Sequence, residues 1–409
     1  MKNLKNNKRL VKHQDYPRMA TIVIAIAIGG GVYFLLGSHA ATPEASVGAD
    51  SGTLTSGAVV ESSSSAADGS YVQFGSTSSV GYSGSCSKTI SPGTDLASSE
   101  NTMSAGQTLC LNSGHYGSTS TLDTVSASGT SGSPITITSA PGQTATIEGM
   151  YYWAGSYLVV EHLNIDNSST EYDSNGGSNP APCPYPISGG MDIDASNDTF
   201  QDDNIYESVV LLRGVVIGIG YFSQVNNTII RYDNISDGGS CNQTQHLIYN
   251  DNGSGSQIYD NWMWNDPYGY AIQLYPNPGD ARVYSNVFDG TLNGIVDATA
   301  VGGNQTYNNI AINSVARNPG GFSGGTFLDC FGGSTGATDT VENNAYWNEV
   351  NGFGCAETGV TESNNIELSA NPFVDSADHN YNLSSSAPSS IQSYNLWNGV
   401  GPPTPDPAP

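Results

Sequence analysis

Basic residues are scarce in this chain of 409: Lys and Arg number 11 against 37 Asp and Glu, a formal net charge of −26 at pH 7. They are also unevenly spread. Lys2, Lys5, Lys8, Arg9, Lys12 and Arg18 precede an apolar run from Met19 to Leu36, and only Lys88, Arg213, Arg231, Arg282 and Arg317 follow it. A chain so poor in cations cannot neutralise phosphates, which excludes nucleic acid as a partner. The same scarcity weighs against β-elimination on a uronate, where the substrate carboxylate has to be neutralised. Helical periodicity is missing, and none of the six cysteines forms a C-x-x-C pair, which argues against metal thiolates.

What cations there are give an address. A basic leader, an apolar segment and Ser38-His39-Ala40 make an export signal over residues 1–40, cleaved after Ala40 or retained as a membrane anchor with its Lys and Arg in the cytoplasm. The rest is expected outside the membrane, so an even number of cysteines reads as disulfides. Nearness in the chain suggests Cys86 with Cys110, Cys183 with Cys241 and Cys330 with Cys355, among fifteen pairings open to six cysteines.

The central part repeats. Asn followed by an apolar residue recurs at Asn164, Asn204, Asn234, Asn261, Asn286, Asn309, Asn344 and Asn365, each after a short β-prone run, at steps between 21 and 40 residues. In the tightest stretch Leu247, Ile272 and Ile295 each stand fourteen residues before their Asn, so two strands per turn keep register. A constant turn with variable loops, short strands and Asn corners predicts a parallel β-helix, with stacked Asn side chains as a ladder. A β-sandwich also uses many short strands, but would not hold such a register.

Residues 41–84 are rich in Ser, Gly and Ala and read as a tether with two β-prone fragments, at Ala58-Val59-Val60 and Tyr71-Val72-Gln73-Phe74. The second resembles the opening strands of carbohydrate-binding β-sandwich modules, in a segment too short to complete one. The solenoid is expected over 85–398, with 86–125 as N-terminal cap, 366–398 as C-terminal cover and 399–409 a Pro-rich tail. Ala105-Gly106-Gln107-Thr108-Leu109-Cys110-Leu111, the run Gly129 to Ile137, and Tyr157-Leu158-Val159-Val160-Glu161-His162-Leu163-Asn164-Ile165 resemble the opening coils of right-handed parallel β-helix proteins of the pectin-lyase-like superfamily. The resemblance implies an all-β, right-handed parallel β-helix and a polysaccharide or surface glycan as partner. That scaffold hosts lyases, hydrolases, epimerases and non-catalytic adhesins, so it does not choose among them.

Three groups of residues carry candidate chemistry. Asp203, Asp233 and Asp260 each precede a repeated Asn, and in line at strand spacing they would invite a hard cation such as Ca²⁺, which pectate-lyase-like relatives hold with acids; a solvated corner also suits Asp without any metal. Asp251, Asp266 and Asp297, with His246 as proton shuttle and Arg282 nearby, are the pool for acid–base cleavage of a glycosidic bond. Asp297 shares its offset with Tyr249 and Leu274, an acid where its neighbours are apolar or aromatic. Trp262, Trp264, Tyr268 and Tyr270 are expected to form an exposed platform for sugar rings. Asp266-Pro267-Tyr268 resembles the Asp-Pro-His motif of alginate epimerases, with Tyr in place of the His. The lyase Lys and Arg pair is not recognisable, so a hydrolase is favoured over a lyase. A non-catalytic adhesin or glycan-binding protein is the alternative, and convergence of the three Asp residues in one groove is what would separate the two.

Overall fold

The computed structural model describes residues 58–62, 70–74, 82–167, 191–208, 215–238, 246–315, 324–330, 338–354 and 359–399. Residues 1–40, expected to be an export signal, the loop Pro180–Pro186, Cys183 and Cys241, Cys355, Arg213, Arg317 and the end of the tail lie outside these. The chain divides into two compact units, Met1–Ser76 and Thr77–Pro409. In the first, Ala58–Ser62 pairs antiparallel with Ser70–Phe74, so the two β-prone fragments form a hairpin.

The second unit is a parallel β-helix whose coils present three faces. The first face is an 11-stranded parallel sheet that includes Leu158–Glu161, Thr199–Gln201, Ile229–Arg231, Gln257–Tyr259, Arg282–Tyr284, Gln305–Tyr307 and Asp339–Glu342. The second face runs through Asn164–Asp166, Asn204–Tyr206, Asn234–Ser236, Trp262–Trp264, Val287–Asp289, Ile310–Ile312 and Ala345–Trp347. The third holds Met191–Ile193, Val215–Ile219, His246–Ser254, Tyr270–Gly279, Asn293–Asp297 and Thr326–Asp329. Parallel crossovers of this kind are right-handed because a right-twisted strand returns to its sheet only that way.

Short strands suffice because each coil is fixed by its neighbours. In Thr199–Gln201, Asn204–Tyr206, Trp262–Trp264 and Arg282–Tyr284 the middle side chain is buried and the flanking two face out. Stacking brings Phe200, Ile205, Ile230, Ile235, Ile258, Met263 and Val283 into one continuous core, each with no exposed surface. The N-terminal end is closed by the short helix Leu96–Glu100, which inserts Leu96 and Ala97 into that core. A disulfide between Cys86 and Cys110 ties its flanks, and Cys330 is also disulfide-bonded.

The corner between the first and second faces corrects the expected register. His162, Asp202, Tyr232, Asp260, Ser285, Asn308, Asn343 and Asn364 all adopt left-handed backbone with φ between 54° and 60°. Asn234 pairs with Trp262, not with Asn261. The repeat therefore slips by one residue between these coils. Upstream, Asn164, Asn204 and Asn234 begin the second-face strands; downstream, Asn261, Asn286, Asn309 and Asn344 occupy a buried place one residue earlier, as does the partly buried Asn365 at the end of the row. Leu247 and Tyr249 are displaced in the same sense, since Ile248 pairs with Ile272 and Asn250 with Leu274.

The Asn ladder exists in both places: upstream Asn234 Nδ2 donates to Asn204 Oδ1 at 2.8 Å, and downstream it runs in the earlier place. Asn261 donates its backbone and side-chain N–H to Asn286 Oδ1 at 3.1 and 3.0 Å, and the same double contact links Asn286 to Asn309 and Asn309 to Asn344 at 3.0 Å. Each amide also feeds a backbone carbonyl, as Asn286 Nδ2 does to Ile258 O at 2.9 Å. The buried Asn amides from Asn261 to Asn344 are thus satisfied, each bond adding about 1 kcal/mol net.

Candidate functional site

Asp203 and Asp233 stand in the ladder's upstream positions. Asp203 Oδ1 accepts the Leu163 N–H and Asp233 Oδ1 the Asp203 N–H, both at 2.8 Å. Both carboxyls are buried, and their second oxygens meet no donor. Burial raises both pKa values well above the carboxylate range, with the Asp233 charge adding to the effect on Asp203. Asp260 is not in line with them, because the slip puts it in the left-handed place occupied upstream by Asp202 and Tyr232. Asp203 and Asp233 cap backbone groups, and with Asp260 out of line the three do not fit a shared Ca²⁺. Among the described residues no group of three or more His, Cys, Asp and Glu is arranged to hold a metal ion.

The three acids expected to converge face different ways. Asp266 is buried in the turn from the second to the third face, where Oδ1 accepts the Gly269 N–H at 2.8 Å and burial pushes its pKa well up. Asp297 pairs with Leu274 in a row that points into the coil, where burial, helped by the neighbouring Asp339, pushes its pKa up to about 8. Asp251 alone is half-buried at the outer surface of the third face, raised to about 6 by burial. His246 is buried, stacked on Tyr270 with ring centroids 4.6 Å apart, and its Nδ1 accepts the Tyr270 N–H at 3.3 Å. Arg282 begins a first-face strand, on another side of the coil from His246.

The expected aromatic platform is covered. Trp262 and Trp264 do share one face, with Met263 between them turned into the core. The C-terminal segment lies over that face: His379 stacks on Trp264 at 3.7 Å, and Tyr381 and Trp397 pack on Trp262 at 5.3 and 4.9 Å. Tyr381 donates its hydroxyl to Asp289 at 3.1 Å, and Val287, Ile310 and Ala345 are sealed beneath. Tyr268 lies in the turn beside Asp266, and Tyr270 is buried. None of the four offers an open ring face as a group.

An open aromatic surface lies on the third face instead. Its outward row runs Tyr152, Asp192, Gly218, Tyr249, Gln273. After Ile219 the chain turns through Gly220, Tyr221, Phe222 and Ser223 and arches over this row. Phe222 packs on Tyr152 at 5.5 Å, and Tyr221 on Tyr249 at 5.9 Å. Asp194 holds the arch, accepting from the Phe222 N–H at 3.1 Å and the Ser223 hydroxyl at 3.3 Å. Gly220 has φ +73°, and a Cβ there would stand 2.2 Å from Asn252 O, so only Gly makes the turn. The exposed large apolar side chains among the described residues include three aromatics, Tyr221 at 37%, Phe222 at 57% and Tyr275 at 39%. All three gather here, Tyr275 close enough to Tyr249 to influence its ionisation.

Beneath the arch is Asp192. Met191 and Ile193 on either side are in the core, so Asp192 points out, yet it is only 1% exposed and neither carboxyl oxygen reaches a donor at hydrogen-bond distance. Gly218 beside it leaves room, since a Cβ there would come to 3.3 Å from Asp192 Oδ1. Burial pushes the Asp192 carboxyl up to about 8, assisted by the charges of Asp194 and Asp251; the Tyr221 N–H opposes this only weakly. Asp251 sits where the strand loses register between Asn250 and Asn252, an irregularity that re-aims side chains. Two carboxyls thus share one environment with proton affinities pushed apart, which is the arrangement that separates an acid from a base at one pH. Of this group the sequence singled out only Asp251.

No protein-family model matches the chain, and no curated protein matches it in sequence. Its strand arrangement is similar to that of several solved structures. A pectate lyase is 13% identical with a TM-score of 0.48, over 78% of this chain and 88% of that one. An alginate lyase from Paenibacillus is 16% identical with a TM-score of 0.43, over 67% and 99%. A pectin methylesterase from Aspergillus niger is 13% identical with a TM-score of 0.39, over 75% and 93%. At such identities and scores the likeness carries no argument about activity. The chain is a parallel β-helix that bears, among the described residues, an open patch of aromatic rings and carboxyls.

Proposed function

We propose that this is an exported carbohydrate-active enzyme that hydrolyses a glycosidic bond at the third-face patch. The supporting observation is the pairing of Asp192, pushed up to about 8, with Asp251, raised only to about 6, beside exposed Tyr221, Phe222 and Tyr275. At neutral pH Asp192 keeps its proton and Asp251 has lost its own. Asp192 then donates to the leaving glycosidic oxygen, and Asp251 acts as base on water or as nucleophile. The aromatic faces stack on sugar rings and bring the bond to the acids. Because Asp192 is covered, the Gly220–Ser223 arch has to lift for the substrate to reach it.

A second reading is favoured by that same cover: a non-catalytic glycan-binding or adhesive protein needs only the exposed rings, not the acid beneath. Incubation of the purified protein with neutral and acidic polysaccharides, with and without Ca²⁺, separates the readings. Release of reducing ends without ultraviolet absorbance of unsaturated uronides is expected. Absorbance that depends on Ca²⁺ would replace hydrolysis by elimination. Retention on a glycan with neither signal would leave the adhesin.

A further inference from the structure

We infer that the third-face notch accepts a glycan without anionic groups, a substrate class that rests on the hydrolytic reading of the same site. Asp192 is an outward-facing, buried carboxyl with no donor at hydrogen-bond distance, the Tyr221 N–H acting on it only weakly, and it lies beneath the Tyr221–Phe222 arch between Tyr152 and Tyr249. Asp194 and Asp251 are near enough to act on its charge.

The described cations are committed elsewhere. Lys88 donates to Ser99 O and Thr102 Oγ1 in the N-terminal coils. Arg231 is held on the first face by Gln201 and by the Tyr259 hydroxyl at 2.7 Å, and Arg282 lies on that face too. Arg213 and Arg317 fall outside the described residues. A uronate, sulfate or phosphate entering here meets the Asp251 carboxylate in a partly desolvated place with no counter-charge among the described residues, where repulsion is strengthened. A neutral sugar instead brings hydroxyls that donate to the unpartnered oxygens and C–H faces that lie on the rings. The Asp251 carboxylate beside the covered Asp192 thus selects against anions, a repulsive element of specificity.

The test is calorimetric binding to the full chain carrying Asp192→Asn, which stops turnover and keeps the neutral form's shape. Hexasaccharides of cello-, xylo- and manno- type are compared with oligogalacturonate and oligomannuronate of equal length at neutral pH. At least one neutral oligomer is expected to bind, with the uronates at least about ten-fold weaker. The gap narrows as salt rises from about 0.05 to about 0.5 M, where screening shortens the reach of charge, and also when Asp251→Asn is added. Uronate binding as tight as neutral binding overturns the inference, as does a gap insensitive to both salt and Asp251→Asn, or binding of none of the oligomers. If neutral oligomers bind but the unaltered protein releases no reducing ends from them, the hydrolytic reading fails while the selectivity stands.

Discussion

Two aromatic regions lie on adjacent faces of the same coil, and they differ in what covers them. On the second face, Trp262 and Trp264 are roofed by His379, Tyr381 and Trp397. On the third, Tyr221, Phe222 and Tyr275 stand open over a buried carboxyl. A Trp pair looks the better sugar platform in sequence, yet its ring faces are used up in packing. Aromatic content alone does not distinguish a docking surface from an internal joint; accessibility and an unpartnered polar group beside it do.

The sharpest way to break the comparison is Asp192→Asn. Hydrolysis is expected to fall by about 10² to 10⁴, the usual contribution of general acid catalysis, with folding stability at neutral pH unchanged or improved. Asp297→Asn, which alters an acid raised to the same value but pointing inward, should leave the rate near that of the unaltered protein. An equal loss of rate in both variants, measured as kcat by reducing ends, would sink the assignment. The kcat profile should rise with pH as Asp251 loses its proton near 6 and fall as Asp192 loses its own near 8. A profile without an alkaline limb would remove Asp192 as donor.

The next effect in size belongs to the covered face. Trp264→Ala removes the stacking partner of His379 and the indole N–H donated to Asn234 Oδ1 at 2.7 Å. It should cost about 3 kcal/mol by urea unfolding, with glycan binding unaltered. Phe222→Ala should do the opposite. Loss of one stacking face weakens binding about ten-fold, roughly 1.4 kcal/mol, while stability shifts by under about 0.5 kcal/mol because the ring is mostly exposed. Should Phe222→Ala unfold the protein, or Trp264→Ala abolish binding in a folded one, the two regions have been assigned the wrong way round.

The smallest effect sharpens a second contrast along the corner. Asp203→Asn and Asp233→Asn convert upstream steps to the downstream chemistry, adding an amide donor where the Val160 and Phe200 carbonyls occupy the matching positions. Each should stabilise by about 1 kcal/mol at neutral pH. The sign follows from the raised pKa values: a buried acid that holds its proton more tightly folded than unfolded stabilises below the ordinary carboxylate range, and this is lost as pH rises through the raised value. The gain from Asn should therefore grow with pH in thermal melts. A gain that is flat across pH would contradict the buried, protonated assignment.

Much of the architecture was legible from residues. The recurring Asn, the spacing of Ile272 and Ile295 and the absence of helical period predicted a parallel solenoid, and those two Ile residues do pair. The candidate site was far less legible. Asp251, Asp266 and Asp297 were grouped as one catalytic pool because they fall on neighbouring coils, which does not distinguish inward from outward; Asp251 lies at the outer surface, whereas Asp266 and Asp297 are buried. Asp192 sits in Gly190-Met191-Asp192-Ile193-Asp194, an apolar and acid alternation that marks an outward acid between two core residues. That signal was available. The partners of Asp192 were not, since Tyr152, Tyr221 and Tyr249 come from three different coils.

The sequence by itself determined the period, because every coil must bury an inner row and turn a left-handed corner, and both demands leave a repeated residue type. Only the tertiary structure decided the register. Side chains alternate between faces with period two, so the single-residue slip between Asn234 and Trp262 exchanges a row of Asn for a row of Trp262, Val287, Ile310 and Ala345. That apolar row then needs the C-terminal segment as its roof, while on the third face Tyr221 and Phe222 keep their rings in contact with solvent.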